Sequence, residues 1–243
     1  MQTNYKEYNY ISSARRIGEI LDSSRGNYEE ADTLPDRDKL TYENGYYANC
    51  SAVFVDIRDS SSLPDKYKRP KLARLYRAYI SEVVAILNGS EKAREINIVG
   101  DGVWAVFNTP YKSDIDHVFE KIGQLRSLVK LLNYKLEKAG YNQGELRVGI
   151  GASYGRALMI KAGYSGSGIS DVVYMGDVVN HAAKLAAQGS KNWQPPIFLS
   201  NGIAENLKEE YYTQFVSKNW QHDCYTSGIV NQAMDEWYDN NCT

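Results

Sequence analysis

The sequence predicts an α+β fold, an open sheet with helices threaded between its strands. Three observations carry this. Short β-branched and aromatic runs alternate with long stretches of helical periodicity, a Gly-Asp-Gly turn joins two of those runs directly, and the elements between residues 51 and 160 come in the order strand, helix, strand, strand, helix, strand. A length of 243 residues suits one large domain with terminal segments.

Taken in order, an opening helix is expected with Ser12 or Ser13 as cap and Ile17, Ile20 and Leu21 at helical spacing. From Asp22 to Asn49 the chain is polar and turn-rich. Ser51-Ala-Val-Phe-Val-Asp56-Ile57 then reads as a buried strand ending in a carboxylate, followed by a Ser-rich turn. Leu72, Leu75, Tyr79, Val83 and Leu87 mark an amphipathic helix stopped at Asn88-Gly89. Two strands follow, Glu95–Val99 and Val103–Phe107, with Gly100-Asp101-Gly102 as the hairpin turn. A second long helix runs from Ile115 to Lys138. Leu146–Ile150 and Ala157–Ile160 read as two strands, residues 163–170 as a mobile loop, Val172–Met175 as a short strand and Asp177–Gln188 as a helix. Ile197–Leu199 and Tyr211–Val216 are read as strands flanking a further helix, and the chain beyond Trp220 carries no clear pattern. The central order is the βαββαβ, ferredoxin-like arrangement, here with additional C-terminal strands and helices. It divides into an N-terminal helix and polar segment (1–48), a core (49–220) and a tail (221–243).

Composition narrows the function. A net charge of -2 disfavours nucleic-acid binding through a basic surface. No apolar run reaches the roughly 18 residues of a membrane helix, and no secretory signal opens the chain, so a cytoplasmic protein without stable membrane insertion is expected. Cys50, Cys224 and Cys242, like His117, His181 and His222, lack metal-ligand spacing. Tyrosine is over-represented, with 20 Tyr against 5 Phe.

Asp56 and Asp101 are the chemically pointed residues. One ends a strand and the other tips a hairpin, and the topology sets these side by side at the sheet centre. Two hard carboxylates without Cys or His suit Mg²⁺ or Mn²⁺. Either Asp alone reads as a turn residue.

Four stretches then resemble the catalytic domain of class III nucleotidyl cyclases, in order from about Ser51 to Gln188. They are Val53-Phe-Val-Asp56-Ile57, Asn97-Ile-Val-Gly-Asp101, Leu146 through Gly155-Arg156, and Tyr174-Met-Gly176-Asp-Val-Val-Asn180-His-Ala-Ala-Lys184. The resemblance implies that Asp56, the Ile57 carbonyl and Asp101 hold two divalent ions, and that Asp59, Ser60 and Ser61 help cradle phosphates. It implies that Arg156 binds the triphosphate, while Asn180 and Lys184 act on the transition state. It further implies a homodimer with composite sites, Asp56, Asp101 and Arg156 coming from one chain and the base pocket, Asn180 and Lys184 from the other.

Departures from the pattern bear on the base. Lys184 stands where most relatives have Arg, which keeps the charge but loses the planar fork. The two positions that read adenine in adenylyl cyclases hold Asn97 and Val173, and Val173 offers adenine's amine no partner. An Asn amide both donates and accepts, and Phe54 or Tyr174 fills the space a smaller ring leaves. In this the chain is similar to the bacterial pyrimidine cyclases of antiphage signalling. The implied reaction is UTP to cyclic UMP, ahead of CTP to cyclic CMP, an adenylyl cyclase, an inactive nucleotide-binding homologue, or an RNA-binding module of the same topology.

Overall fold

A computed structural model describes residues 4–23 and 27–242. Helix α1 (Tyr10–Asp22) begins two residues before the expected cap, because the Asn9 side chain accepts from the Ser12 amide at 2.9 Å. No residue of α1 is buried. It lies by the turn after β5 (Val148–Tyr164), with the Arg16 guanidinium 4.8 Å from the Tyr164 ring centre.

The strands are β1 (Tyr28–Glu30), β2 (Gly45–Ile57), β3 (Ala93–Val99), β4 (Gly102–Asn108), β5, β6 (Ile169–Met175), β7 (Ile197–Leu199), β8 (Val216–Asn219) and β9 (Cys224–Ser227). They form one nine-stranded sheet ordered β3-β4-β2-β5-β7-β9-β8, with β1 beside β2 and β6 beside β5. Helices α3 (Arg69–Asn88) and α4 (Lys112–Lys138) cross over between the first strands, as the periodicity predicts. The short α2 (Leu63–Lys66) precedes them, α5 (Asp177–Ala186) follows β6, and α6 (Asn201–Ala204), α7 (Glu209–Phe215) and α8 (Gln232–Asn241) complete the chain.

Several elements differ from expectation for identifiable reasons. β2 starts at Gly45, because parallel β1 and antiparallel β5 pair with Gly45, Tyr46 and Tyr47 from both sides. The two runs expected on either side of Gly151–Gly155 are one continuous strand, β5. The loop expected at 163–170 is a tight hairpin between β5 and β6, its ladder continuing to Tyr164↔Ile169. Residues 211–215 are helical rather than a strand, and there Tyr211 meets Phe215 at i,i+4 with tilted rings 6.3 Å apart and Phe119 at 5.5 Å. Beyond Trp220, β9 inserts between β7 and β8, and α8 ties back to α4 through Lys130–Asp239 at 2.9 Å. The expected boundaries at 48/49 and 220/221 fall inside β2 and between β8 and β9.

Alternation along β2 separates two cores. Val53, Val55 and Ile57 pack with Leu75, Tyr79, Val83, Phe119 and Ile122 of α3 and α4. On the opposite face, Cys50 and Ala52 pack with Val106 and Met159 under Val178 and Ala182 of α5 and under Leu34 and Leu40 of the segment before β2. Burying each of those leucines contributes about 2 kcal/mol, so this segment is a fixed cover. Helix α5 lies against bare backbone. A Cβ at Gly149 or Gly151 would come within 2.1 Å of the Ala186 or Ala182 carbonyl oxygen.

Candidate active site

Asp56 lies one position beyond Val55↔Val103, the last pair of β2 with β4, and Asp101 sits in the turn between β3 and β4. Neighbouring central strands therefore bring the two carboxylates together, as the sequence predicts. Burial pushes the Asp56 carboxyl up from its ordinary pKa; the Asp101 charge and a hydrogen bond between the two add to this, and Arg58 opposes it. Asp101 Oδ2 is buried with no hydrogen-bond partner. Beneath the pair, the Tyr79 hydroxyl is also buried and unpartnered, and burial followed by the charges of Asp56 and Asp101 raises its pKa. Two adjoining carboxylates with an orphaned oxygen are short of positive charge, and this donor set fits a hard divalent cation. Among the described residues no group of three or more His, Cys, Asp and Glu side chains is placed to hold a metal.

Arg58 is a participant that sequence reading missed. Its side chain is only 4% exposed. It donates to Asp56 Oδ2 at 2.5 Å and to the Ala187 carbonyl at the end of α5 at 3.2 Å. It thus fastens the carboxylate strand to the helix that carries Asn180 and Lys184. Ile57 is buried beside it. Asp59 adopts a left-handed conformation (φ 55°) and accepts from Arg147 at 2.8 Å, and the 3₁₀ turn Ser60–Ser62 follows.

Away from the carboxylates, on the same face, Asn97 pairs across the ladder with Trp104 and Trp104 with Phe54, whose rings stack at 5.7 Å. Glu95, two residues before Asn97 and on the same side of β3, is buried. Arg37, from the segment before β2, donates one nitrogen to both Glu95 oxygens at 2.7 and 2.8 Å and another to Asp171 on β6. Burial raises the Glu95 pKa, while Arg37 and a hydrogen bond from Asn97 pull it back. Arg37 therefore joins β3, which bears Asn97, to β6, which bears Val173 and Tyr174. Val173 is exposed, whereas the Tyr174 ring is buried in the second core with its hydroxyl unpartnered. No local signal in the sequence announced Arg37 or Glu95, which lie 58 residues apart.

The remaining residues stand apart within one chain. Arg156 pairs with Asn49, seven ladder positions from the Asp56↔Gly149 pair, on the order of 20 Å of strand. It forms an ion pair with Glu30 and stacks 3.8 Å over Tyr47. The expectation that Arg156 enters the same site as Asp56 and Asp101 from one chain is therefore not met, because the extended course of β5 holds it at the other end of the ladder. Asn180 and Lys184 are exposed on α5, one turn apart on one face.

The sheet, the paired carboxylates at its centre and the open face beside α5 define a class III nucleotide cyclase fold. The family described as adenylate and guanylate cyclase catalytic domain matches residues 42–222, and the chain belongs to it, a family of phosphorus–oxygen lyases. Two relatives named Uridylate cyclase span nearly the whole chain. One, from Gulbenkiania mobilis, is 46% identical over 99% of this chain and 100% of its own. The other, from Treponema porcinum, is 36% identical over 95% of this chain and 81% of its own. Among solved structures, a class III adenylyl cyclase-like ATP-binding protein from Pseudomonas aeruginosa superposes with a TM-score of 0.71 at 16% identity, covering 94% of this chain and 50% of that one. The adenylyl cyclase CyaB from P. aeruginosa gives 0.64 at 18%, covering 78% and 98%. These likenesses concern the fold. No helix among the described residues is long and apolar enough to cross a membrane.

Proposed function

We propose that the chain is a uridylate cyclase converting UTP to 3′,5′-cyclic UMP and pyrophosphate. The full-length likeness to two proteins named Uridylate cyclase supports the base, and the Asp56–Asp101 pair with its orphaned oxygen supports the chemistry. In the reaction the ribose 3′-oxygen loses its proton and attacks the α-phosphorus, and the bond to the β-phosphate oxygen breaks to release pyrophosphate. Mg²⁺ or Mn²⁺, two ions per site, supplies charge neutralisation on the triphosphate and a lowered pKa at the 3′-hydroxyl when bound. Asp56, Asp101 and the Ile57 carbonyl hold those ions, and the backbone from Asp59 to Ser61 faces the phosphates. Asn180 orients the ribose, and Lys184 meets the charge developing on the α-phosphate.

Two copies arranged head to tail complete each site, since Asn180 and Lys184 are exposed on α5 and Arg156 lies far along β5 from Asp56. Arg156 reaches a phosphate by exchanging Glu30 for it. Asn97, held by Glu95, presents amide groups to the pyrimidine edge, with Phe54 and Tyr174 limiting the space and Val173 offering adenine nothing. The same amide suits cytosine, so CTP is the second reading. The product is read as a second messenger in bacterial antiphage defence, made in the cytoplasm where nucleoside triphosphates are found.

The test is purified protein with Mn²⁺ and UTP, products identified by mass. Cyclic UMP and pyrophosphate are expected in equal amounts, abolished by Asp56→Ala and by chelation. No metal-dependent product would overturn the reading.

A further inference from the structure

An amide that is free to turn suits uracil and cytosine alike, and Asn97 is not free. Alternation along β3 puts Glu95 and Asn97 on the same side, paired with Val106 and Trp104 of β4. Glu95 is buried there, and Arg37 donates to both its oxygens at 2.7 and 2.8 Å, the arrangement of a carboxylate rather than a carboxylic acid. Arg37 is itself anchored. A second nitrogen donates to Asp171 on β6, and the same Asp171 oxygen accepts from the Val172 amide at 2.8 Å. A carboxylate offers only acceptors. The Asn97 side chain, hydrogen-bonded to Glu95, therefore turns its amide nitrogen toward that carboxylate and its carbonyl oxygen away from it. Asn97 is half-buried beside the stacked rings of Phe54 and Trp104, so a base lying against those rings meets a fixed acceptor.

We propose that Glu95, clasped by Arg37, determines the base by fixing the direction of the Asn97 amide, so that the pocket accepts a hydrogen bond from the ring nitrogen of uracil and rejects cytosine. The inference rests on the cyclase reading and narrows its substrate to UTP. Uracil carries an N–H at the ring nitrogen of its pairing edge, and this donates to the Asn97 oxygen. Cytosine carries a lone pair at that place, so the same pose sets two acceptors against each other and leaves both without a partner. To offer its exocyclic amine instead, cytosine has to slide along its edge, into the space that Phe54 and Tyr174 limit. Glu95 touches no base in this scheme. It acts through Asn97, as a positioning residue.

Titration of the full chain with 3′-deoxy-UTP and 3′-deoxy-CTP in Mn²⁺ tests this apart from turnover, because neither analogue has the attacking hydroxyl. Wild type is expected to bind the uridine analogue about tenfold more tightly or better. Glu95→Gln is expected to bring the two affinities within about threefold of each other, with the cytidine analogue gaining, since a glutamine keeps the shape but both donates and accepts and lets Asn97 turn. Equal affinities in wild type, or an unchanged ratio in Glu95→Gln, overturn the proposal, as does a parallel loss of both affinities, the mark of simple damage to the pocket. Should Glu95→Gln fail to fold, Asn97→Ser, whose hydroxyl turns freely, is expected to lose the preference in the same way, and a preference it retains overturns the proposal. With UTP and CTP themselves, the ratio of kcat/KM values is expected to follow the ratio of affinities, and a UTP preference undiminished in Glu95→Gln overturns the proposal. Absence of binding by either analogue overturns the base site altogether. A protein that discriminates between the analogues but makes no cyclic nucleotide contradicts the cyclase reading alone.

Discussion

The two ends of the open sheet face are built on different principles. At the carboxylate end, Asp56 and Asp101 come from adjacent strands and reach each other through local geometry, Arg58 answers Asp56, and Asp101 Oδ2 is left without a partner. At the base end, Glu95 is buried but answered, with Arg37 clasping both its oxygens and Asp171 holding Arg37 from β6. At one end an arginine answers one carboxylate and leaves Asp101 Oδ2 without a partner, and at the other an arginine answers both carboxylates. On the proposed function, this separates chemistry from selectivity. Changes at the first end should remove turnover, and changes at the second should redirect it.

The largest expected effect is at the carboxylates. Asp56→Ala or Asp101→Ala should lower turnover by about a thousandfold or more while the circular dichroism spectrum stays unchanged. An active Asp101→Ala protein would break the comparison at once. If Lys184 has the role proposed for it, answering charge that develops only in the transition state, Lys184→Ala should lower kcat about a hundredfold with little change in KM. Lys184→Arg should retain activity. Mixing Asp56→Ala with Asn180→Ala protein should restore about a quarter of wild-type activity, since half of randomly exchanged dimers carry one intact composite site of two. No restoration despite verified subunit exchange would show that each chain works alone.

At the base end, Arg37→Ala should reduce the preference for UTP over ATP about tenfold, a change of about 1.4 kcal/mol. It should also cost about 1 to 2 kcal/mol of stability by stranding Glu95, less than for a fully buried pair because Arg37 is half exposed. Arg37→Lys should recover part of the melting temperature but not the selectivity, since one ammonium cannot span Glu95 and Asp171 together.

The smallest effect is a pH dependence. The folded Asp56 carboxyl has a raised pKa, so the folded chain holds that proton more tightly than the unfolded one, and stability falls as pH rises through the raised value. Asp101→Asn removes the neighbouring charge. In metal-free protein it should raise the melting temperature by about 2 °C at pH 8, a shift corresponding to less than about 1 kcal/mol in a chain of this size. The difference should close as pH falls below the Asp56 range. It stays small because Asp56 is 41% exposed and solvent screens it. A lower melting temperature for Asp101→Asn at pH 8 would contradict the charge argument.

How much of this was legible in the sequence follows the same division. Asp56 and Asp101 were readable because each is fixed by its own strand end or turn, and the topology that joins those strands follows from element order. The helices α3, α4 and α5 were readable from periodicity. The Arg37–Glu95–Asp171 bridge was not, because its members are 58 and 134 residues from Arg37 and meet only when the segment before β2 is laid over the sheet. That segment looked like a polar linker, and Leu34 and Leu40 carry no period by which to recognise a cover. The unbroken course of β5 was hidden for a related reason. Gly151 and Gly155 fall between the two expected runs and break them, yet Gly151, like Gly149 inside the first run, is small because α5 lies on it.

The measurement that bears most directly on the account is a competition in one vessel. Wild-type protein is given equimolar ATP, GTP, CTP and UTP with Mn²⁺, and cyclic products are quantified by mass, with Arg37→Ala in parallel. Cyclic UMP should dominate for the wild type, with the purine products rising in Arg37→Ala. Cyclic AMP or cyclic GMP dominating from the wild-type protein would contradict the account.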